Sequence, residues 1–475
     1  MSFLGYTAPV DATAAEVESQ ARHRAGAPGP ARPRVCVIGA GSSGITACRS
    51  LAARGVEFEC YEKGSDVGGN WRYENDNGMS AAYRSLHINT SRQMMAYEAF
   101  PMPDEYPDYP DHFQIAAYFD RFVDRFGLRE RIAFRTEVLK VEPAGERRWL
   151  VTVAERDGAA RTEEFTDVIV CNGHHWDKRW PEPAFPGADR FRGIQMHAHD
   201  YRTPEVFAGR RALVLGIGNS ATDISVEASR VAEATFLAMR RGAWILPKYL
   251  AGIPTDRATA GPLTRAPLWL QSVFMWLLLR LAVGRLTDYG LPRPDHMPLH
   301  AHPTISGDLI GRLGHGDITV KPNIERLEED GVVFADGSRE EIDVIVYCTG
   351  YRITFPFLDR GLIDPEGNRV DLYRRVASPD RAGLYFIGLI QPLGAIMPLA
   401  ERQAEWVADL VTGAGALPDR PEMMREIALD HARMRRRYVA SKRHTIQVDF
   451  EDYLRLLSRE RARSRARARS LTASA

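Results

Sequence analysis

Two glycine-rich segments that follow short apolar runs carry the clearest chemistry in this sequence. The first, GAGSSG, covers residues 39–44 after the apolar run 35–38. The second, GIGNSA, covers residues 216–221 after the run 213–215. A strand, a glycine turn and a helix in this order direct backbone N–H groups and the helix N-terminus at a pyrophosphate. The sequence therefore predicts two dinucleotide-binding cradles.

The first cradle is followed by a carboxylate. Gly39 permits the tight turn, Gly41 lets the backbone approach a pyrophosphate, and Gly44 lets the helix pack closely on the strand. Glu62 ends the next apolar run, 23 residues after Gly39, where it can accept hydrogen bonds from an unphosphorylated ribose, as in FAD. The predicted FAD-binding residues are Gly39, Gly41, Ser43, Gly44, Glu62, Gly69, Trp71 and Gln391.

The second cradle is followed by two arginines instead. Met239 lies 23 residues after Gly216, and Arg240 and Arg241 come next. Guanidinium groups after the second strand of a nucleotide fold suit the 2′-phosphate of NADP, although two adjacent arginines are also compatible with a solvated surface pair. The predicted NADP-binding residues are Gly216, Gly218, Asn219, Ser220, Arg240 and Arg241. A chain with both cradles is most simply a flavoprotein that takes hydride from NADPH.

The order of these motifs predicts an α/β protein in which one nucleotide-binding domain is inserted into another. Strand-like runs ending in Gly173 and Gly350 each close a cradle, 134 residues after its first glycine. We predict two Rossmann-like dinucleotide-binding domains, the NADP domain inserted into the FAD domain. The expected parts are a flexible N-terminal extension (1–33), the FAD domain (34–186 and 351–445), the NADP domain (187–350, with a helical insertion at 249–317) and a basic C-terminal tail (446–475).

Composition excludes several other classes of protein. The 475 residues carry 62 basic and 62 acidic side chains, so no overall charge recruits nucleic acid. The five cysteines are widely spaced and form no CxxC pair, which excludes a disulfide-reductase dithiol and favours a reducing, cytoplasmic compartment. His300 and His302 resemble a metal pair but lack a third ligand, so no metal is expected.

Two further segments allow more than one interpretation. The apolar run 267–284 suits a buried helix, a homodimer interface or a helix lying in a membrane surface, and its polar interruptions argue against a membrane span. The arginine-rich segment 459–469 is typical of a solvated, frayed tail, with attraction to anionic lipid or nucleic acid as a secondary alternative.

Between the cradles, residues 191–201 form the string F-x-G-x-x-x-H-x-x-x-Y. With GAGSSG before it and GIGNSATD after it, this string resembles the identifying sequence of flavin-containing monooxygenases. The resemblance extends over residues 34–407. In the related Baeyer–Villiger enzymes the string typically ends in Trp followed by Pro or Asp, whereas here it ends in Tyr201-Arg202, which favours the flavin-containing monooxygenase branch. Other matching motifs are YEKGSDVGGNW, NTSRQMMAYEAFPMPDEYP, VCNGHH, RRGAW, CTGY and GLIQPLGAIMP.

The resemblance implies a reaction and one catalytic residue. NADPH would reduce FAD, and a flavin C4a-hydroperoxide formed with O2 would oxygenate a soft nitrogen or sulfur atom of a small-molecule substrate. Asn89 matches the asparagine beside the flavin, and His197 is expected to be a structural residue of the connection between the domains. Two alternatives stay open: Baeyer–Villiger oxygenation of ketones, and an NADPH oxidase or electron-transfer flavoprotein.

Overall fold

The computed structural model describes residues 32–156, 158–261, 264, 266–438 and 445–474. The predicted extension 1–33 lies outside the described residues apart from its last two. The strands are β1 (Arg34–Ile38), β2 (Glu57–Tyr61), β3 (Ile132–Ala133), β4 (Thr136–Gly145), β5 (Arg148–Glu155), β6 (Arg161–Phe165), β7 (Asp167–Val170), β8 (Asp177–Lys178), β9 (Ile194–His197), β10 (Arg211–Leu215), β11 (Ala234–Ala238), β12 (Ile245–Leu246), β13 (Tyr249–Leu250), β14 (Ile253–Pro254), β15 (Thr304–Ile305), β16 (Thr319–Lys321), β17 (Ile324–Leu327), β18 (Gly331–Phe334), β19 (Arg339–Glu341), β20 (Val344–Tyr347), β21 (Tyr351–Arg352), β22 (Leu384–Phe386), β23 (Gln391–Leu393) and β24 (Gln447–Asp449). The helices are α1 (Ser42–Ala52), α2 (Arg92–Met95), α3 (His112–Arg125), α4 (Asn219–Ala228), α5 (Thr255–Ala258), α6 (Leu268–Ala282), α7 (Leu309–His315), α8 (Met397–Val411), α9 (Arg420–Arg437) and α10 (Phe450–Ser474).

The first cradle belongs to a five-stranded parallel sheet with the order β22-β7-β1-β2-β3. Both faces are covered, so β1 and β7 are almost continuously apolar, as parallel strands require. An antiparallel meander of β4, β5 and β6 precedes β7. The edge strand β22 comes from residues 384–386, after the whole second sheet has been traversed. This pairing confirms that one nucleotide-binding unit is inserted into another.

The second sheet repeats the strand arrangement of the first, except that its outer strand β9 precedes the cradle in sequence whereas β22 follows all other strands of both sheets. Its five strands are parallel, in the order β16-β11-β10-β20-β9, and an antiparallel meander of β17, β18 and β19 precedes β20. Gly39 donates its N–H to the carbonyl of Tyr61 at 2.8 Å, and Gly216 donates to Ala238 at 2.8 Å. Glu62 and Met239 therefore occupy equivalent positions, as the spacing predicted.

The main core lies between the first sheet and its helices. In α1, Ile45, Cys48 and Leu51 are fully buried at helical spacing. They join one apolar cluster with Trp406 of α8, so α8 returns from the end of the chain to cover the first cradle's helix. The predicted domain boundaries stay predictions, because residues 34–475 form one contact unit.

The C-terminal segment is not a solvated, frayed tail. β24 pairs in parallel with β23, and α10 packs against α8 through a buried face that includes Tyr453, Leu457 and Ser464. The arginines of α10 have buried acidic partners: Arg461 and Arg465 both pair with Asp409 of α8, at 2.6 and 2.8 Å. Burial by itself would raise the pKa of Asp409, but hydrogen bonds from Arg461 and Arg54 hold it below its usual value.

The apolar run 267–284 forms α6, and it is mostly exposed rather than buried. Only Ser272, Met275 and Leu279 are buried. The outer residues include Trp269, which is 66% exposed, and Leu281, which is 87% exposed. Among the described residues, none of the helices is long and apolar enough to cross a membrane.

The packing of α10 can be tested with two leucines of the same helix. Leu457 is 1% exposed and Leu471 is 64% exposed. We expect Leu457→Ala to cost about 2–4 kcal/mol of stability, because it leaves a cavity against α8, and Leu471→Ala to cost less than about 0.5 kcal/mol. Melting temperature and urea midpoint measure the difference. Equal, negligible effects from both substitutions would contradict the packing of α10.

Candidate functional site

The first cradle is shaped by close backbone approaches that exclude a Cβ atom. Gly39 has φ +96°, and a Cβ there would lie 2.9 Å from the carbonyl oxygen of Cys171 at the end of β7. A Cβ on Gly44 would overlap the carbonyl oxygen of Gly39, which explains why α1 packs so closely on β1. Gly41 is the N-cap of α1. A Cβ added to Gly69 would lie 3.1 Å from the Cα of Gly41, so the two backbones are in close contact. The open helix N-terminus can receive a pyrophosphate.

Glu62 is held in place at the carboxyl end of β2. It is buried, and its Oε2 accepts from the N–H of Ala40 at 2.7 Å. Its Oε1 accepts from the N–H of Gly64 at 2.8 Å and from Nδ2 of Asn77 at 3.1 Å. Within the described part of the chain it forms no ion pair, so no cation of those residues competes with a ligand hydroxyl for the carboxylate.

The cradle and Glu62 open into one cavity of about 510 Å³. The cavity is also lined by residues that the sequence did not predict as binding residues, among them Lys63, Asn77, Thr136, Trp176, Gly388 and Ile390. The indole N–H of Trp176 is buried and has no hydrogen-bond partner among the described residues, so it can donate to a bound group. The predicted FAD-binding residues that line the cavity are Gly39, Gly41, Ser43, Glu62, Gly69, Trp71 and Gln391, whereas Gly44 lies behind it.

The cavity residues after β22 were hard to identify from sequence because each acts through its backbone or its small size. A Cβ on Gly388 would overlap the hydroxyl of Ser43, so only glycine fits against the start of α1. Gln391 is fixed by its N–H, which donates to Ile446 at 2.8 Å, beside the pairing of β23 with β24. The C-terminal segment thus supports one wall of the cavity.

Asn89 is not among the residues lining this cavity. It lies on the segment before α2, and its Oδ1 is buried without a hydrogen-bond partner in the described part of the chain. A buried carbonyl left unpaired costs about 1–3 kcal/mol. The orphaned oxygen therefore indicates that a ligand or an ordered water completes its environment.

The second cradle has the same geometry as the first. Gly216 has φ +137°, and a Cβ there would lie 2.8 Å from the carbonyl oxygen of Cys348 at the end of β20. Gly218 is the N-cap of α4, with Asn219 and Ser220 in its first turn. Oδ1 of Asn219 accepts from the N–H of Ile305 at 2.9 Å, so its amide group is oriented by β15.

Arg240 and Arg241 follow β11 at the carboxyl edge of the second sheet. Both are exposed, and neither forms an ion pair with any described residue. No ion pair within the described part of the chain therefore neutralises either cation, although the Arg241 guanidinium group is near enough to Asp295 to contribute to the lowered pKa of that carboxyl group. A pair of free guanidinium groups at this position can bind a phosphate monoester.

The string F-x-G-x-x-x-H-x-x-x-Y builds the connection between the two sheets. A Cβ on Gly193 would lie 2.5 Å from the ring of Phe191, so this glycine makes room for a core aromatic residue. His197 is buried, and its Nε2 lies 3.1 Å from the carbonyl of Gly350, where the chain leaves the second sheet. Burial lowers the pKa of His197 to about 4, so the ring is neutral at physiological pH. Tyr201 is buried and donates its hydroxyl to Glu227 of α4 at 2.6 Å.

Two dinucleotide-binding folds, one inserted into the other, define a class of oxidoreductase with sites for two dinucleotide cofactors. A family model described as "Flavin-binding monooxygenase-like" matches residues 32–463. The chain belongs to this family, and it is an FAD- and NADPH-dependent monooxygenase. The resemblance seen in the sequence is thereby confirmed.

Individual relatives agree with this assignment. Flavin-containing monooxygenase 5 of Mus musculus is 39% identical over 447 residues, covering 89% of this chain and 81% of the relative. Dimethylaniline monooxygenase [N-oxide-forming] 2 of Mus musculus is 35% identical, covering 90% of this chain and 82% of the relative. Among solved structures, S-allyl-L-cysteine S-oxygenase from Allium sativum is similar with a TM-score of 0.69 at 27% identity, covering 90% of this chain and 88% of that one.

Replacing both Arg240 and Arg241 with Gln tests the ribose-phosphate assignment. We expect KM for NADPH to rise about tenfold or more, because each charge-assisted hydrogen bond contributes about 1.5–3 kcal/mol, while KM for NADH changes little. The matched control is Arg435→Gln with Arg436→Gln, another adjacent exposed pair without described ion pairs. An equal rise for both cofactors would show that these arginines do not read the phosphate.

Proposed function

We propose that this enzyme transfers one oxygen atom of O2 to a soft nitrogen or sulfur atom of a small-molecule substrate. The observation that carries the proposal is that one chain of this family contains two cofactor sites. One is the cavity beside Glu62, and the other is the second cradle, which is followed by the exposed Arg240 and Arg241. The names of two relatives support the substrate class: one forms an N-oxide and the other is an S-oxygenase.

The residues divide the task between binding and shielding. FAD, when bound, accepts hydride and supplies activated oxygen. In our proposal the first cradle and Glu62 hold its pyrophosphate and ribose, and the second cradle with Arg240 and Arg241 holds NADPH. The apolar walls of the cavity, Trp71, Ile390 and Ile396 among them, exclude water from the reacting groups.

Asn89 is the one polar side chain that we assign to the reacting centre. Its Oδ1 has no hydrogen-bond partner among the residues that the structure describes, which is the expected condition of a group reserved for a ligand. An amide offers both a donor and an acceptor without a charge. It can therefore orient bound groups without acting as an acid at physiological pH. His197 has no such role in the proposal, because both ring nitrogens already have backbone partners: Nε2 contacts the carbonyl of Gly350, and Nδ1 accepts from the N–H of His199.

A substrate panel tests the reaction class directly. The holoenzyme is given NADPH with a sulfide, a tertiary amine and a cyclic ketone, and products are identified by mass. We expect a sulfoxide and an N-oxide, because the proposed oxygen transfer requires only an accessible lone pair on the substrate. Lactone from the ketone without either product would instead establish the Baeyer–Villiger alternative.

The same assay distinguishes an oxidase from an oxygenase. Product is compared with NADPH consumed, and hydrogen peroxide is measured in parallel. Stoichiometric peroxide with every substrate, and no oxygenated product, would favour the NADPH oxidase alternative. The five cysteines are free thiols. Cys48 and Cys60 contact each other in the core, but neither lines the cavity beside Glu62, so this pair is not a dithiol relay at the proposed flavin site.

We further propose that this enzyme is cytoplasmic and contacts a membrane surface through the outer face of α6. Its exposed residues follow one helical face: Trp269, Leu270, Val273, Phe274, Trp276, Leu277 and Leu281. The sequence has no acidic residue between Arg257 and Thr287, while Arg280 and Arg285 lie within this stretch. Tryptophans on an apolar face with flanking arginines suit an anionic bilayer surface. A homodimer that buries the same face is the competing occupant.

Vesicle flotation separates these two occupants. We expect the enzyme to float with vesicles containing phosphatidylserine, and the double change Trp269→Glu with Leu281→Glu to weaken binding more than tenfold, since each buried apolar side chain contributes about 1.5–3 kcal/mol. The control, Leu139→Glu with Leu429→Glu, alters exposed leucines elsewhere. If the enzyme ignores vesicles but sediments as a dimer that the α6 changes dissociate, the membrane proposal is wrong.

A further inference from the structure

Residues 77–91 cross from the first cavity to the second nucleotide-binding unit, and we call them the crossing segment. At its start, Asn77, Gly78 and Met79 line the cavity beside Glu62. At its end, Ser91 donates its N–H and its hydroxyl to Oδ2 of Asp256, at 2.7 and 2.8 Å. Asn89 lies between these two ends. The crossing segment therefore runs from the first cavity to the second nucleotide-binding unit and carries the amide assigned to the reacting centre.

The middle of the crossing segment is anchored in the core of the second unit. Tyr83 is buried there, and its ring packs 5.8 Å from that of Tyr201, the last residue of the string between the cradles. Its hydroxyl donates to Oδ2 of Asp223 at 2.5 Å. Asp223 belongs to α4, the helix of the second cradle. One side chain thus joins the segment beside the flavin cavity to the helix behind the second cradle.

Backbone contacts hold the crossing segment on both sides of Tyr83. The guanidinium group of Arg202 donates to the carbonyl of Ser80 at 3.1 Å, and the N–H of Arg84 donates to the carbonyl of Arg202 at 2.9 Å. Nε2 of His199 lies 3.3 Å from the carbonyl of Gly78. These contacts fix the path of the backbone, whereas the Tyr83 hydroxyl bonds directly to a side chain of the cradle helix.

Asp223 needs its partner because of where it lies. It is the fifth residue of α4, in the helix whose N-terminus faces the phosphate cradle, so its negative charge opposes a bound anion. Burial raises the pKa of Asp223 to about 6, against the lowering effects of the Tyr83 hydroxyl and the Lys248 ammonium group, and Glu227 adds a further repulsive charge. A hydroxyl donor at 2.5 Å spreads this charge and compensates its desolvation.

We propose that Tyr83 is a positioning residue, which couples the second cradle to the crossing segment through Asp223 and so sets both NADP affinity and the placement of Asn89. The inference rests on the assignment of the second cradle to NADP. It goes beyond that assignment because Tyr83 is not among the residues that line the flavin cavity and is not part of a glycine motif. Loss of the hydroxyl is expected to weaken NADP⁺ binding and to let Asn89 move from its position, while the packing of the aromatic ring remains.

The test compares four holoenzymes: wild type, Tyr83→Phe, Asp223→Asn and the double variant. Kd for NADP⁺ is read from the perturbation of flavin absorbance, and the ratio of peroxide to oxygenated product is measured with a sulfide. We expect Tyr83→Phe to raise Kd about tenfold, the size of one hydrogen bond to a charged group, and to increase the peroxide fraction. In the Asp223→Asn background the same change should have a much smaller effect on Kd.

Tyr347→Phe is the matched control. Tyr347 is also buried in the second unit, and its hydroxyl donates to Oε1 of Gln195 at 2.7 Å, away from the crossing segment. A merely structural role for Tyr83 predicts that both Phe variants lower the melting temperature and leave Kd and the peroxide fraction unchanged, which would overturn the inference. Equal effects of Tyr83→Phe in the two Asp223 backgrounds would also overturn it.

The wild type separates failure of this inference from failure of the cofactor assignment. If wild-type holoenzyme does not bind NADP⁺, the assignment of the second cradle is wrong and the inference falls with it. If the wild type binds NADP⁺ and Tyr83→Phe binds equally well, the assignment stands and the inference alone is wrong.

Discussion

The contact between each cradle turn and the end of the neighbouring strand is the constraint on which both cofactor sites depend. Gly39 meets the carbonyl of Cys171, and Gly216 meets that of Cys348, at distances that leave no space for a side chain. The contact fixes where the helix N-terminus points and where the next strand ends. Glu62 and Met239 consequently occupy corresponding places in two sheets, so a carboxylate ends one strand where Arg240 comes one residue after the end of the other.

Features set by local pattern could be predicted from the sequence. The glycine cradles, the strands that close them and the residue types after β2 and β11 are each encoded within a few residues, so spacing alone placed Glu62 and Arg240. The insertion of one unit into the other followed from motif order. Even here local pattern had a limit, since Gly44 shapes the cradle from behind and does not line the cavity.

Features set by distant partners could not be predicted in the same way. The arginines of α10 look like a solvated tail because their partners, such as Asp409, lie in another helix some fifty residues earlier. A buried carboxylate inside an apolar helix gives no signal of the cation that will neutralise it. Trp176 and Gly388 reach the cavity through the tertiary path of the chain. The exposure of α6 is a similar case, since composition indicates an apolar surface but not whether protein covers it.

The placement of β22 has a consequence for how the chain is made. As the ribosome releases the chain, the second sheet is complete once β20 has emerged at residue 347, whereas β7 of the first sheet keeps an open edge until residues 384–386 arrive. The helix that covers α1, and the C-terminal strand that supports Gln391, emerge later still. An unpaired parallel edge is a template for aggregation. The nascent flavin-binding half is therefore the part of the chain that most needs protection by a chaperone, although it is translated first.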